Sequence, residues 1–256
     1  MTARTRPLKF RLTSGDLLYF LHIPKTAGTT LFEILRKRFK PEEAVSAEGD
    51  VFLDLCCRSS PEDRARYRLM RAHFGYGVYR LLPRRPVFVT MLRDPVARVI
   101  SVYKHIRRIP HHRLNREVIE LGLLEFLEHP RARVRDLQVR HLAGFRLRKE
   151  ELGALCDDDL LELAKAHLDD LAFFGLTERF DDSIRLLSHT FDWSPIEGYE
   201  ALNVAPDSPE EVDREALQAI ASRNRLDLAL YAHARGLFEE RVAQLDAELR
   251  EADHDQ

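Results

Sequence analysis

A lysine and several hydroxyl residues crowded around a glycine, directly after an apolar run, suit the binding of an anion. Phe20-Leu21-His22-Ile23-Pro24-Lys25-Thr26-Ala27-Gly28-Thr29-Thr30 has that form. Lys25 brings a full positive charge, Gly28 lets backbone approach a ligand closely, and Thr26, Thr29 and Thr30 offer hydroxyl donors. If a strand ends at His22 and a helix starts near Thr29, the helix N-terminus aims its N–H groups and dipole at the same spot. An ordinary strand-to-helix turn with a capping threonine is the plainer reading of the same residues. A Walker loop is a different pattern: it needs Gly, four residues, then Gly-Lys-Ser/Thr. Here Lys25 precedes the glycine, and nothing matches the Walker arrangement for holding magnesium.

A second constellation follows in Arg93-Asp94-Pro95-Val96-Ala97-Arg98-Val99-Ile100-Ser101-Val102-Tyr103. An arginine fork at the end of a strand and a serine eight residues on, two turns into a helix, make a phosphate clamp. Asp94, Arg98, Ser101 and His105 share one helix face at the 3.6-residue period. A surface arginine and a helix serine without a ligand are the bland alternative.

The elements that would position these groups alternate between strand and helix. Leu17–His22 reads as a buried strand and Thr29–Phe39 as an amphipathic helix. Val87–Leu92, rich in β-branched residues, reads as the next strand. Asp94 at the N-cap and Pro95 in the first turn then open a helix reaching about Arg108. Residues 113–155 read as mostly helix, followed by a helix over Asp157–Asp170, a strand over Phe173–Thr177 and a helix over Asp181–Phe191. Gly198–Asp207 reads as a loop. Ser208-Pro209-Glu210-Glu211 reads as a capping box before two long helices and a polar tail at Glu251–Gln256. On the acidic helices, Leu160, Leu163 and Leu168, then Leu228, Tyr231 and Leu237, recur at helical spacing, so the charges lie on solvated faces. The last helix is a candidate dimer contact as well as a packing element. The alternation predicts an α/β sandwich, a central mainly parallel sheet flanked by helices, in one domain over 1–256.

The formal charge of −2 over 256 residues hides an asymmetry. Residues 1–150 carry 31 Lys+Arg against 16 Asp+Glu, a net of +15, and residues 151–256 carry 9 against 26, a net of −17. A split this large points to an anionic ligand on the first half. Cys56, Cys57 and Cys156 form neither a disulfide framework nor a zinc spacing, so a reducing compartment is expected. The apolar run at Leu17–Leu21 is too short for a signal-peptide core or a membrane span. A soluble, cytoplasmic protein that binds no nucleic acid is the expectation.

Together, residues 22–30 and 93–103 resemble the 5′-phosphosulfate loop and the 3′-phosphate motif of sulfotransferases. The branch most similar contains the heparan sulfate 2-O- and 6-O-sulfotransferases and their bacterial relatives. The resemblance is strong over about residues 17–110 and weak through Leu176–Ile184 and Leu202–Pro206 to the last helix. It implies a P-loop-like three-layer fold, 3′-phosphoadenosine-5′-phosphosulfate (PAPS) as co-substrate, and no metal. About residues 15–110 would bind the donor, and about 111–256 would supply acceptor, lid and C-terminal parts. Lys25 through Thr30 would hold the phosphosulfate, with Lys25 also stabilising charge on the leaving oxygen. Arg93 and Ser101 would hold the 3′-phosphate. His73, in Arg71-Ala72-His73-Phe74-Gly75, stands where this branch places its general base. His22 is read as orienting the turn or packing. His105, His111 and His112 are read as solvated or as holding an anionic acceptor. Asn203 resembles a loop that closes over the nucleotide. Gln138 and Arg140 fall in a segment shared with bacterial relatives, with no role attached, and Trp193 is read as core. Ala27 departs from the glycine many relatives have there.

The resemblance therefore implies sulfuryl transfer from PAPS to an acceptor hydroxyl. Carbohydrate is the first expectation, and a small metabolite or lipid the second; the arginines of 107–148 would suit an acidic glycan. A nucleotide-dependent kinase and a non-catalytic binder of anionic glycans are the alternatives.

Overall fold

Leu18–Leu21 are all fully buried, as an apolar run must be when both faces of its sheet are covered. In the computed structural model they form the central strand β1, and residues 8–47, 49–144, 155–200 and 212–254 are described. The order continues with α1 (Gly28–Arg36), β2 (Ala44–Ser46), α2 (Gly49–Arg58), α3 (Pro61–Ala65), β3 (Leu69–Ala72), β4 (Val87–Leu92), α4 (Pro95–Arg108), α5 (Asn115–Val118) and α6 (Leu123–Glu128). Then come α7 (Leu137–Ala143), α8 (Asp157–Asp170), β5 (Phe173–Leu176), α9 (Phe180–Thr190), α10 (Arg214–Arg223) and α11 (Arg225–His254).

The five strands form one sheet in the order β2-β3-β1-β4-β5, and every pairing is parallel. This is the expected α/β architecture. The chain winds from β1 out to β2, returns to β3, then crosses β1 to reach β4. That reversal opens a crevice at the carboxyl ends of the strands, the usual ligand position in such sheets. His22, His73, Arg93 and Thr177 are the first residues past the ends of β1, β3, β4 and β5.

Where the structure differs from the sequence expectations, the reasons are local. β2 and β3 went unread because each has at most four residues and little β-branching. Among its described residues, the stretch expected to be mostly helix holds the short helices α5 to α7, of four to seven residues. With α4 and α10, α5 and α6 surround a second core of Val99, Tyr103, Ile106, Val118, Phe126 and Ile220, whereas Val139, Leu142 and Ala143 of α7 join the main core. The expected capping box at 208–211 lies outside the described residues; α10 is capped instead by Asp213, which accepts from Ala216 N–H at 2.6 Å. The last helix continues to His254 through most of the expected polar tail. Its buried stripe is Leu226, Leu230, Ala234, Phe238, Val242 and Leu245, within this chain's own core, while Leu228, Tyr231 and Leu237 are half-buried. Among the described residues no helix is long and apolar enough to cross a membrane.

A buried polar junction joins the C-terminal helix to the rest. Asp227, at the start of α11, accepts from the N–H groups of Gln138 (3.2 Å) and Val139 (2.8 Å) at the start of α7. Asp136, just before α7, accepts from Leu226 (3.0 Å) and Asp227 (3.1 Å) at the start of α11. Each helix N-terminus is thus capped by an aspartate from the other. Arg98 of α4, fully buried, completes the junction, with Nη2 3.9 Å from Asp227 and donating to Val134 O at 2.7 Å. Removing Asp227 would leave the Arg98 charge buried without its counter-ion. Asp227→Ala is expected to lower unfolding free energy by about 3–5 kcal/mol, measured by chemical denaturation, whereas a paired Arg98→Met/Asp227→Leu variant should lose far less.

Candidate functional site

The β1–α1 connection turns through two left-handed residues, Lys25 (φ 70°) and Ala27 (φ 58°). Alternation of this kind turns successive backbone N–H groups toward one side, a concavity suited to anions. Thr26, between them, is fully buried and donates its hydroxyl to Ile23 O at 2.9 Å. That corrects one expectation: the Thr26 hydroxyl closes the turn and is not a donor aimed at a ligand. Thr30 is buried as well, and Thr29 is half-buried in the first turn of α1. Ala27 as the N-cap in a left-handed conformation carries strain that a glycine there would not.

Gly28 is required for a reason the sequence reading did not contain. A Cβ there would lie 2.1 Å from His22 Cδ2 and 2.2 Å from Nε2. The His22 ring occupies the space that a side chain on residue 28 would need. The same ring stacks on His73, with centroids 4.4 Å apart and planes at 28°. Parallel register explains the stack: Leu21 pairs with Ala72, so the next residues, His22 and His73, emerge side by side. Burial, and next the adjacent His73, hold His22 well below the usual histidine range, so it is neutral. The ring thus packs between the turn at Gly28 and His73.

His73 Nδ1 lies 2.8 Å from the carbonyl oxygen of His22. A carbonyl can only accept, so Nδ1 carries the proton and the lone pair is on Nε2. Tyr19 fixes the next residue by donating its hydroxyl to Phe74 O at 3.1 Å.

Arg93 joins the two constellations physically. Its Nη1 donates to Lys25 O at 3.2 Å, and its Nε lies 4.0 Å from Glu178 Oε1 with no hydrogen-bond partner. Glu178 is in turn held by Asp94 N–H (3.0 Å) and the Tyr231 hydroxyl (2.6 Å). Burial, then the charges of Arg108 and Arg93, push the Lys25 ammonium down to about 8. His105, of α4, is pushed down to about 4, chiefly by burial and next by Lys25. It is therefore half-buried within the cation cluster and not simply solvated, while His111 is exposed and His112 accepts from Leu114 N–H at 3.2 Å. Ser101 is half-buried on α4. Among the described residues no carboxylate pairs with Lys25. Lys25, Arg93 and Arg108 repel one another, and an anion would relieve that repulsion.

Other sequence candidates have plainer places. Trp193 stacks on Phe191 at 4.9 Å, against the main core. Tyr103 is buried and donates to Leu121 O at 2.7 Å. Asn203 lies outside the described residues. Arg140 is exposed and His141 buried. Glu178 and Asp227 had no assigned role, because their partners are 84 and 88 residues away in the chain and no local pattern marks them. A groove of about 470 Å³ between β2 and α2, lined by Ser46, Asp54, Arg58 and Tyr67, includes none of the site residues. Among the described residues no cluster of His, Cys, Asp and Glu is placed to hold a metal.

Comparison with known proteins agrees with the resemblance in the motifs. No family model matches the chain. Human heparan-sulfate 6-O-sulfotransferase 3 aligns over 93% of the chain and 60% of its own length at 26% identity. The chicken heparan-sulfate 6-O-sulfotransferase 2 aligns over 92% and 70% at 26%, and the human form 2 over 92% and 47% at 28%. The chain is similar to heparan-sulfate 6-O-sulfotransferases along nearly its whole length. It spans about 60% of the length of the first of these relatives. A solved structure of mouse sulfotransferase SULT7A1 complexed with PAP superposes with a TM-score of 0.39 at 13% identity, covering 84% of this chain and 66% of that one, too loosely to carry an argument.

In this candidate site burial and the neighbouring arginines hold the Lys25 ammonium down at about 8. A bound anion favours the ammonium and raises that value. Affinity for an anion such as sulfate is therefore expected to fall as pH rises above about 8. Calorimetric titrations across pH 7–10 check this, and Lys25→Met should remove the dependence as well as weaken binding.

Proposed function

We propose that the chain is a sulfotransferase that moves the sulfuryl group of PAPS to a carbohydrate hydroxyl, of the heparan-sulfate kind that its relatives' names specify. The observation that carries this reading is the contact between Arg93 and the Lys25 carbonyl. It unites two anion-binding motifs at the carboxyl ends of adjacent strands, beside a cluster of cations. The orphan Arg93 Nε and the depressed Lys25 ammonium fit a ligand with more than one anionic group.

PAPS supplies an activated sulfuryl group whose transfer leaves negative charge on a phosphate oxygen. Lys25, the turn N–H groups and the α1 dipole stabilise that charge where it develops. Arg93 and Ser101 hold the 3′-phosphate, the group that distinguishes this donor from ATP. His73 Nε2 takes the proton of the acceptor hydroxyl as that oxygen bonds to sulfur. The His22 carbonyl keeps the His73 proton on Nδ1 throughout, and the His22 ring fixes the imidazole plane. Sulfuryl transfer, like phosphoryl transfer, then depends on position and charge more than on covalent help.

Two outcomes test this reading. PAP at about 100 times its Kd should stabilise the protein by about 2.7 kcal/mol, read as a rise in Tm, with ATP and magnesium far less effective; equal effects would remove the donor assignment. His73→Ala should lower transfer from radiolabelled PAPS to heparan-sulfate-like glycans by about 10²–10⁴-fold while leaving PAP affinity nearly unchanged. Full activity in that variant would exclude His73 as the base.

A further inference from the structure

Gln138 is almost fully buried, at 1% exposure, and its carboxamide is bonded at both ends to one residue. The Oε1 atom accepts from Arg93 N–H at 3.0 Å, and Nε2 donates to Arg93 O at 2.9 Å. This is the pattern that a neighbouring strand would provide. Arg93 has just left β4, where the ladder to β5 ends at Leu92 and Leu176, so the side chain continues a pairing that the sheet has stopped supplying. The Gln138 main chain is fixed in its turn, since its N–H bonds to Asp227.

We propose that Gln138 is a positioning residue for donor specificity: by clamping both backbone groups of Arg93, it sets where the guanidinium points. The inference rests on the sulfotransferase reading, in which Arg93 holds the 3′-phosphate. With the Arg93 peptide held, Nη1 reaches Lys25 O at 3.2 Å and Nε lies 4.0 Å from Glu178 Oε1. Without the clamp, two backbone groups lose their partners and the arginine gains freedom. Affinity for the 3′-phosphate should suffer, while binding of the 5′ end by Lys25 and the turn should not.

The test compares PAP with AMP, which lacks the 3′-phosphate, by calorimetry on the full chain. In the unchanged protein PAP should bind more tightly than AMP. Gln138→Leu should cut that preference by about tenfold, with AMP affinity unchanged. Gln138→Glu can still accept from Arg93 N–H but cannot donate when ionised, and it should fall between. Combined with Arg93→Ala, which removes the group acted upon, Gln138→Leu should cause no further loss of preference. A preference retained in Gln138→Glu and Gln138→Leu, or equal loss for PAP and AMP, would overturn the role of Gln138. An unchanged protein that does not prefer PAP would instead overturn the donor reading, and this inference with it.

Discussion

The buried junction of Arg98, Asp136 and Asp227 is the interaction on which the rest of the molecule leans. Two carboxylates and a guanidinium out of water are costly, and only dense hydrogen bonding makes them tolerable. Here the main-chain donors are those that helices leave unsatisfied at their N-termini. The carboxylates therefore complete two helices while the helix ends solvate the carboxylates. Burial still pushes Asp227 up to about 6, and Arg98 and the two N–H bonds only partly oppose that. The junction fixes the N-terminus of α11 against α7 and both against α4. Gln138 sits in it, so Asp227 of the acidic half acts through Gln138 on the arginine at the end of β4.

A second constraint is the parallel register around β1. Pairing of Leu21 with Ala72 puts the exits of β1 and β3 at one level, while its pairing with Thr90 lets β4 run two residues further, to Leu92. The loop after β1 must then pass between His73 and Arg93. The His22 ring fills the space over Gly28 and stacks on His73, so the anion-binding turn and the candidate base share one strut. Moving either one moves the other. That is why glycine at position 28 and an aromatic ring at position 22 belong to the same piece of local geometry, although the sequence places them six residues apart.

Much of this was legible before any coordinates. The apolar run before Lys25, the β-branched strand Val87–Leu92, the Asp94-Pro95 helix start and the helix Asp157–Asp170 are local patterns, and the structure has all four. Asp94 caps α4 as expected, accepting from Ala97 N–H at 2.9 Å. What escaped was set by distant partners. Leu69–Ala72 is a strand because β1 and β2 flank it, not because its residues favour one. The residues around His73 stand out in the sequence without that strand, and its position at a strand end emerges only from the pairing. The buried stripe of α11 was misread because Leu228, Tyr231 and Leu237 obey helical spacing as well as the true stripe does, and only packing on the sheet decides between them. Gln138 had a segment but no role, since its role is an Arg93 backbone 45 residues away.

The opposed charges of the two halves have a structural counterpart. Arg85 meets Asp170, Arg93 approaches Glu178 and Arg98 approaches Asp227, each pair crossing from the basic half to the acidic half. Other arginines are absorbed locally: Arg107 lies over the Tyr103 ring, and Arg131 pairs with Glu117. Surface pairs such as Arg85–Asp170 contribute little to stability, so the asymmetry is not chiefly a stabilising device. Its consequence lies where pairing stops. Arg108, Lys25 and the unbonded Nε of Arg93 meet at the carboxyl end of the sheet, and a partly buried like-charge group raises the free energy of the empty site. A polyanionic ligand relieves that repulsion on entering. Binding is thereby favoured by the site's own repulsion as well as by the new contacts, and the positive surplus of residues 1–150 serves ligand capture where the acidic half does not neutralise it.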